Sequence, residues 1–188
     1  MMTLPNILTF SRIALIPLMA IFLYIPFNWA TWIALSFYII ISVTDFFDGY
    51  LARAMKQVSP LGTFLDPIAD KILIAATFLI LVDLGEISGL MIIPVIVILV
   101  REFLVSGLRE FLGPRNVSIP VTFLAKCKTT LQMVAIGFLI IGTVLTWAHI
   151  LGLVLLTGAM LITIKTGYDY LMGAWPYLTA TQDHDISH

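Results

Sequence analysis

Residues 44–71 of the chain read TDFFDGYLARAMKQVSPLGTFLDPIADK and hold four of its 11 acidic residues, Asp45, Asp48, Asp66 and Asp70. A charged side chain in an apolar membrane helix costs about 3 kcal/mol even on the gentler insertion scale. Neighbouring carboxylates also repel, by about 3 kcal/mol for a pair ~5 Å apart at an effective dielectric constant of ~20. Such a cluster is stable when it binds cations or shares protons. The choice between these two explanations decides the function.

The composition of the chain is that of an integral membrane protein. Of the 188 residues, 60% are hydrophobic and 11% are charged, and the mean hydropathy is +1.05. Soluble domains average about 25% charged residues, so a soluble fold is excluded. Residues 13–44 and 129–164 contain no Asp, Glu, Lys or Arg, and each stretch can form two helices of about 20 residues across ~30 Å of hydrocarbon. The net charge of −1 is too balanced to favour nucleic acid as a partner.

Turn signals divide the chain into six predicted helices. Their expected ranges are 5–26, 30–56, 60–83, 87–113, 118–146 and 149–173. Ser59 and Pro60 suit the start of the third helix, because serine caps helix N-termini and proline is favoured in the first turn. The sequence therefore predicts an all-α integral membrane protein with six transmembrane helices. We expect one catalytic domain over residues 1–175 and a short polar tail over residues 176–188.

The positions of the positive charges predict the orientation of the bundle. All ten lysines and arginines fall near the N-terminus, in the connections after the second and fourth helices, or near the C-terminal end. By the positive-inside rule, both termini and the aspartate stretch face the cytoplasm of a multi-pass membrane protein. Trp29, Trp32 and Trp147 fall at the opposite turns, where a belt of interfacial aromatic side chains is expected.

The aspartates of the second predicted helix share a face with small residues. At 100° per residue, an arc of about 100° contains Asp45, Asp48, Gly49 and Ala52, with Arg53 at its edge. In the third predicted helix, positions 62, 66 and 70 recur every four residues and also share a face. A short connection makes the two helices antiparallel neighbours, so the two faces can converge.

Converging carboxylates suit two-metal phosphoryl transfer. Carboxylate oxygens are preferred ligands of Mg²⁺ and Mn²⁺, and two such ions about 4 Å apart can clamp a diphosphate. Small residues at Gly49, Ala52 and Gly62 would let a nucleotide approach the backbone, and Arg53 could bridge phosphate oxygens. Small residues in membrane helices are also common packing contacts. Buried aspartates mark ion pathways as well, so a cation- or proton-coupled transporter is the alternative from another class.

The pattern D-x2-D-G-x2-A-R-x8-G-x3-D-x3-D, which begins at Asp45, resembles the signature of the CDP-alcohol phosphotransferase family at all eight specified positions. The resemblance implies a six-helix membrane bundle, a homodimer, two divalent cations (Mg²⁺ or Mn²⁺) and release of CMP from a CDP-linked substrate. Carried onto this chain, it implies metal ligands at Asp45, Asp48, Asp66 and Asp70, a general base at Asp70, and contacts to the CDP-linked substrate from Gly49, Ala52, Arg53, Ser59 and Gly62.

Three further segments bear on the acceptor alcohol. Residues 5–12 (PNILTFSR), 101–110 (REFLVSGLRE) and 126–132 (KCKTTLQ) resemble the branch of the family that uses CDP-diacylglycerol and glycerol 3-phosphate in the bacterial inner membrane. The likeness implies lipid-substrate contacts from Asn6 and Thr9, and acceptor contacts from Arg101, Arg109, Lys126 and Lys128.

A phosphorylated acceptor needs a cationic pocket, whereas a zwitterionic choline or ethanolamine alcohol does not. Inositol phosphate and phosphatidylglycerol are the alternative acceptors within the family. Lys126 and Lys128 are too far apart around one helix to form a single stripe, so one of them can face away from the pocket. Basic residues in such connections are also commonly solvated or touch anionic lipid headgroups.

Overall fold

A computed structural model describes residues 4–54, 60–113 and 122–179 of the chain. Over these ranges it is built from α-helices, with one 3₁₀ turn at Gly89–Met91 and no strand. The helices are α1 (Leu4–Tyr24), α2 (Asn28–Ala54), α3 (Pro60–Asp83), α4 (Ile92–Leu112), α5 (Phe123–Gly142) and α6 (Thr146–Thr179). The all-α prediction is confirmed for this part of the chain, and α3 agrees with its predicted bounds.

Within the described residues, three helical segments are long and apolar enough to cross a membrane. They are Gly89–Leu112, Phe123–Gly142 and Thr146–Thr179, and shorter apolar stretches cover Ile13–Tyr24 and Asn28–Thr44. These lengths and compositions are those of a membrane protein. The number of spans and the side that the termini face stay predictions.

Alternate helices run in opposite directions. The evidence is that the ends of α1, α3 and α5 meet the starts of α2 and α6 at one end of the bundle. Three hydrogen bonds join the chain there: Tyr24 Oη donates to Asp83 Oδ2 (2.8 Å), the Thr31 and Thr143 hydroxyls pair (3.1 Å), and His149 Nε2 pairs with the Glu86 carbonyl oxygen (2.7 Å). The aspartate-bearing parts of α2 and α3 therefore point to the opposite end, together with the last turns of α4 and the first turns of α5. The connection between α2 and α3 lies outside the described residues.

The closest packing in the bundle is between α5 and α6. A Cβ added at Gly142 would lie 2.9 Å from the Cα atom of His149, and one added at Gly152 would lie 3.0 Å from the Leu139 backbone nitrogen. Contacts this short leave room only for hydrogen at both glycines. α5 ends at Gly142 and α6 begins at Thr146, so Trp147 lies in the first turn of α6 rather than in the predicted turn.

The last helix is longer than the sequence predicts. α6 has 34 residues and continues to Thr179, beyond the expected end near residue 173 and across the proposed boundary between domain and tail. Lys165 Nζ pairs with Asp169 Oδ1 at 2.9 Å, one turn apart, on an exposed part of the helix. Such (i, i+4) pairs stabilise helices that leave an apolar environment for water.

Aromatic side chains mark two levels along α6. Trp147 and Trp175 are both more than half exposed, and about 42 Å of helix separates them at 1.5 Å per residue. A bilayer with its headgroup regions is ~40–45 Å thick, so the two tryptophans are spaced as interfacial anchors would be. Trp29 and Trp32, near the start of α2, are also about half exposed.

Candidate functional site

The aspartate motif is distributed over α2 and α3, and Asp70 is the one member whose side chain is described. The other predicted metal and lipid-substrate positions lie on described helices, but their side chains are outside the described part: Asn6, Thr9, Asp45, Asp48, Gly49, Ala52, Arg53, Gly62 and Asp66. Ser59 lies outside the described residues altogether. The assignments of these residues therefore stay predictions.

Asp70 on α3 interacts electrostatically with side chains of two other helices. Its half-buried carboxyl group is within electrostatic reach of Lys128 on α5 and of Tyr38 on α2. Lys128 is 2% exposed, and the Tyr38 hydroxyl donates a hydrogen bond to the Met133 carbonyl oxygen at 3.0 Å. The predicted base is thus within electrostatic range of a buried ammonium group from the segment that was predicted to bind the acceptor.

Lys128 is part of an ion network between α4 and α5. Its Nζ atom contacts Glu102 Oε1, and Arg101 Nη1 donates to the same oxygen at 3.2 Å. All three side chains are largely buried. A buried charge is tolerated when it is paired and hydrogen-bonded, which explains why the carboxylate lies between two cations. Glu102 was not predicted as a site residue. The sequence nevertheless contains a signal for it, because Glu102 directly follows Arg101 in the quoted segment 101–110.

A cavity of about 110 Å³ opens beside this network, and we call it the α4 cavity. Its lining is charged and is supplied by α3 and α4: Lys71, Arg101, Glu102, Val105, Ser106, Arg109 and Glu110. It contains three basic and two acidic side chains. Lys128 does not line the cavity, but its ammonium group contacts Glu102, which does. Lys71 was missed by sequence reasoning, although it directly follows Asp70. A cavity of this size and charge suits a small anionic molecule.

The two lysines of the 126–132 segment have different environments. Lys128 is buried against Glu102, whereas Lys126 is exposed and does not line the α4 cavity. The structure therefore brings Arg101, Arg109 and Lys128 together and leaves Lys126 apart. One turn beyond Lys128, the side chain of Gln132 is fully buried, and neither its Oε1 nor its Nε2 atom has a hydrogen-bond partner.

Arg101 has an unpaired donor as well. Its Nε atom is buried and makes no hydrogen bond. An unpaired buried donor costs about 1–3 kcal/mol, so such groups point to a missing water or ligand. Arginine binds a phosphate in the bidentate mode through two adjacent N–H groups. Nη1 of Arg101 already donates to Glu102, so the remaining N–H groups of Arg101 are available to bind an anion.

The sequence of the chain matches one known protein family over most of its length. The family described as CDP-alcohol phosphatidyltransferase matches residues 2–164. The chain belongs to this family. Membership confirms the resemblance carried by the aspartate motif, and it makes the transporter alternative unnecessary as an account of the buried carboxylates.

Relatives within the CDP-alcohol phosphatidyltransferase family are similar over almost their whole length. A protein of Cereibacter sphaeroides is 42% identical over 94% of this chain and 97% of its own. A protein of Rickettsia bellii is 42% identical over 93% of this chain and 96% of its own. A protein of Salmonella choleraesuis is 37% identical over 91% of this chain and 94% of its own. All three are named CDP-diacylglycerol–glycerol-3-phosphate 3-phosphatidyltransferase.

The four metal ligands that the family resemblance implies are all aspartates. Among residues whose side chains are described, no group of three or more His, Cys, Asp or Glu could hold a metal ion. Three of the four predicted ligands are outside that set. The four residues offer carboxylate oxygens alone, which is the donor type that Mg²⁺ and Mn²⁺ prefer. The donor set therefore fits hard divalent cations.

Proposed function

We propose that this chain transfers the phosphatidyl group of CDP-diacylglycerol to glycerol 3-phosphate, giving phosphatidylglycerol phosphate and CMP. The observation that carries the proposal is the cationic α4 cavity, which is lined by Lys71, the residue after Asp70, and is bordered by the ion network of Lys128. The names of the relatives at 37–42% identity support the same reaction.

The acceptor is assigned from the charge of the cavity. Lys71, Arg101 and Arg109 surround a space that a phosphate group would fill, and they outnumber the two lining carboxylates. A zwitterionic alcohol would gain nothing from these cations. Charge alone suits glycerol 3-phosphate and inositol phosphate equally, and the names of the relatives favour the former.

The chemical step requires a base and a fixed acceptor. Held by its phosphate in the α4 cavity, glycerol 3-phosphate would present its 1-hydroxyl group to Asp70. Asp70 accepts the proton, the hydroxyl oxygen forms a bond to the phosphorus that bears the diacylglycerol, and the bond from that phosphorus to CMP breaks. Holding both reactants in line removes most of the entropic cost of the encounter.

Divalent cations and the nucleotide complete the proposed site. Asp45, Asp48, Asp66 and Asp70 would hold two Mg²⁺ or Mn²⁺ ions, which neutralise diphosphate charge when bound. The CDP-linked substrate would be contacted from α1, α2 and the start of α3, by Asn6, Thr9, Gly49, Ala52, Arg53, Ser59 and Gly62. The diacyl tails can then stay in the bilayer while CDP meets the aspartates.

The setting of the enzyme is proposed from its charge pattern. We place it in the bacterial inner membrane as a six-span homodimer, with both termini and the active site facing the cytoplasm. One catalytic domain then extends from residue 1 to about residue 175.

The reaction is tested with purified protein, CDP-diacylglycerol and a panel of alcohols. Glycerol 3-phosphate, inositol 1-phosphate, phosphatidylglycerol and ethanolamine are supplied separately, and CMP and the labelled lipid product are measured. We expect product with glycerol 3-phosphate. Product with another alcohol and none with glycerol 3-phosphate would refute the assignment.

Replacing Arg109 with alanine should weaken acceptor binding selectively. Loss of one charge-assisted hydrogen bond costs about 1.5–3 kcal/mol, which raises the KM for glycerol 3-phosphate roughly 10- to 150-fold. The KM for CDP-diacylglycerol should change little, because that substrate is assigned to α1, α2 and the start of α3. Steady-state kinetics with each substrate varied in turn measure both values.

Lys165→Ala is the matched control for Arg109→Ala. Lys165 is exposed and pairs with Asp169 away from the α4 cavity, so the KM of its variant should stay near that of the wild type. Lys126→Ala should resemble this control more than Arg109→Ala. Equal acceptor KM values in wild type and Arg109→Ala would remove Arg109 from the site.

A further inference from the structure

Arg101 lies against a glycine of α6. A Cβ atom added to Gly167 would be 3.0 Å from Arg101 Cγ, 4.0 Å from its Cβ and 4.0 Å from its Nε. Gly167 lies beyond residues 2–164, over which the family matches, and α6 supplies none of the predicted site residues. The arginine therefore passes over a position whose lack of a side chain makes room for it.

Arg101 has little freedom to move away from this contact. Its backbone belongs to α4, which packs on α6, and its Nη1 atom is held by Glu102. The Cγ atom lies near the backbone end of the side chain, so its displacement also moves the guanidinium group. A methyl group at position 167 would thus push Arg101 by a few tenths of an ångström or turn it out of the network with Glu102 and Lys128.

We propose that Gly167 is a positioning residue for the acceptor. Because Gly167 has no side chain, the Arg101 side chain can lie directly against α6. This position determines where its guanidinium group would meet the acceptor phosphate. This inference rests on the proposed function, because it gives Arg101 an acceptor to hold. It adds α6 to a proposed site otherwise built from α1 to α5.

Gly167→Ala tests the inference, and Gly158→Ala is its matched control. Both glycines are half-buried in α6, so both substitutions gain the same helix propensity. A Cβ at Gly158 would meet only Leu131 Cδ2, at an ordinary 3.5 Å. Since a misplacement of 1 Å can cost about 100-fold, we expect Gly167→Ala to raise the acceptor KM roughly 3- to 30-fold. The KM for CDP-diacylglycerol and the thermal midpoint should match those of Gly158→Ala.

A double-mutant cycle shows whether Gly167 acts through Arg101. In an Arg101→Ala background the clash is absent, so adding Gly167→Ala should leave the acceptor KM unchanged. The inference is overturned if Gly167→Ala has the kinetics of Gly158→Ala, or if it raises KM by the same factor with and without Arg101. The series uses whichever phosphorylated alcohol the wild type turns over. Failure of glycerol 3-phosphate as acceptor would therefore overturn the proposed function and leave the comparison of the two glycines standing.

Discussion

Asp70→Asn is expected to lower kcat by about 100- to 10,000-fold, the usual contribution of a general base. Asparagine has the shape of aspartate but cannot accept the proton of the attacking hydroxyl. Binding of CDP-diacylglycerol should persist, because Asp45, Asp48 and Asp66 are still present to hold at least one cation. Single-turnover release of CMP and equilibrium binding of CDP-diacylglycerol measure the two effects separately.

Two further variants sharpen this result. Asp169→Asn is the control, because Asp169 is an exposed aspartate of α6 that pairs with Lys165. Asp48→Asn should weaken nucleotide binding itself, since Asp48 is proposed as a metal ligand and not as the base. If Asp70→Asn kept near-normal turnover, the hydroxyl proton would have to go to another group.

Removal of divalent cations is expected to abolish turnover. Prolonged treatment with EDTA, followed by desalting, should reduce CMP release to background, and Mg²⁺ or Mn²⁺ should restore it. The circular dichroism of the helices should not change, because the bundle is held by its apolar core. Full activity after thorough chelation would rule out the proposed carboxylate-bound cations.

The fold was predictable where local signals mark a helix end. α3 begins at Pro60 and ends at Asp83 as expected, because proline favours the first turn and charged residues follow the apolar run. The end of α6 was not predictable in this way. Gly173 and Pro176 both disfavour a helix interior, yet the helix continues to Thr179. The start of α6 at Thr146 also differs from the prediction, and its close contact with α5 at Gly142 is a feature that the sequence of either helix alone does not reveal.

The site was predictable for residues that carry a motif and not for those chosen by packing. The family pattern named Asp70 as the proposed base, and the basic segments contained Arg101 and Lys128, which the structure places in one ion network. The choice of Lys128 over Lys126 depends on which one meets Glu102 on α4. Lys71 and Gly167 are added to the candidate site because helix packing brings Lys71 to the cavity that Arg101 lines and Gly167 to Arg101 itself. Such contacts join residues far apart in sequence, and periodicity within one helix carries no information about them.

In the proposed membrane setting, the spacing of the tryptophans on α6 also implies a depth for the chemistry. Gly167, and with it Arg101, lies about 12 Å of helix rise inward from Trp175. With Trp175 placed among the headgroups, a rise of about 12 Å exceeds the ~5–8 Å headgroup layer, so the α4 cavity would be a charged well that reaches into the outer part of the hydrocarbon. In the proposed reaction, glycerol 3-phosphate then enters the membrane to reach the lipid, and the lipid need not move toward the solvent. A water-soluble reactant leaves bulk solvent for the reaction, while the diacylglycerol keeps its place in the leaflet.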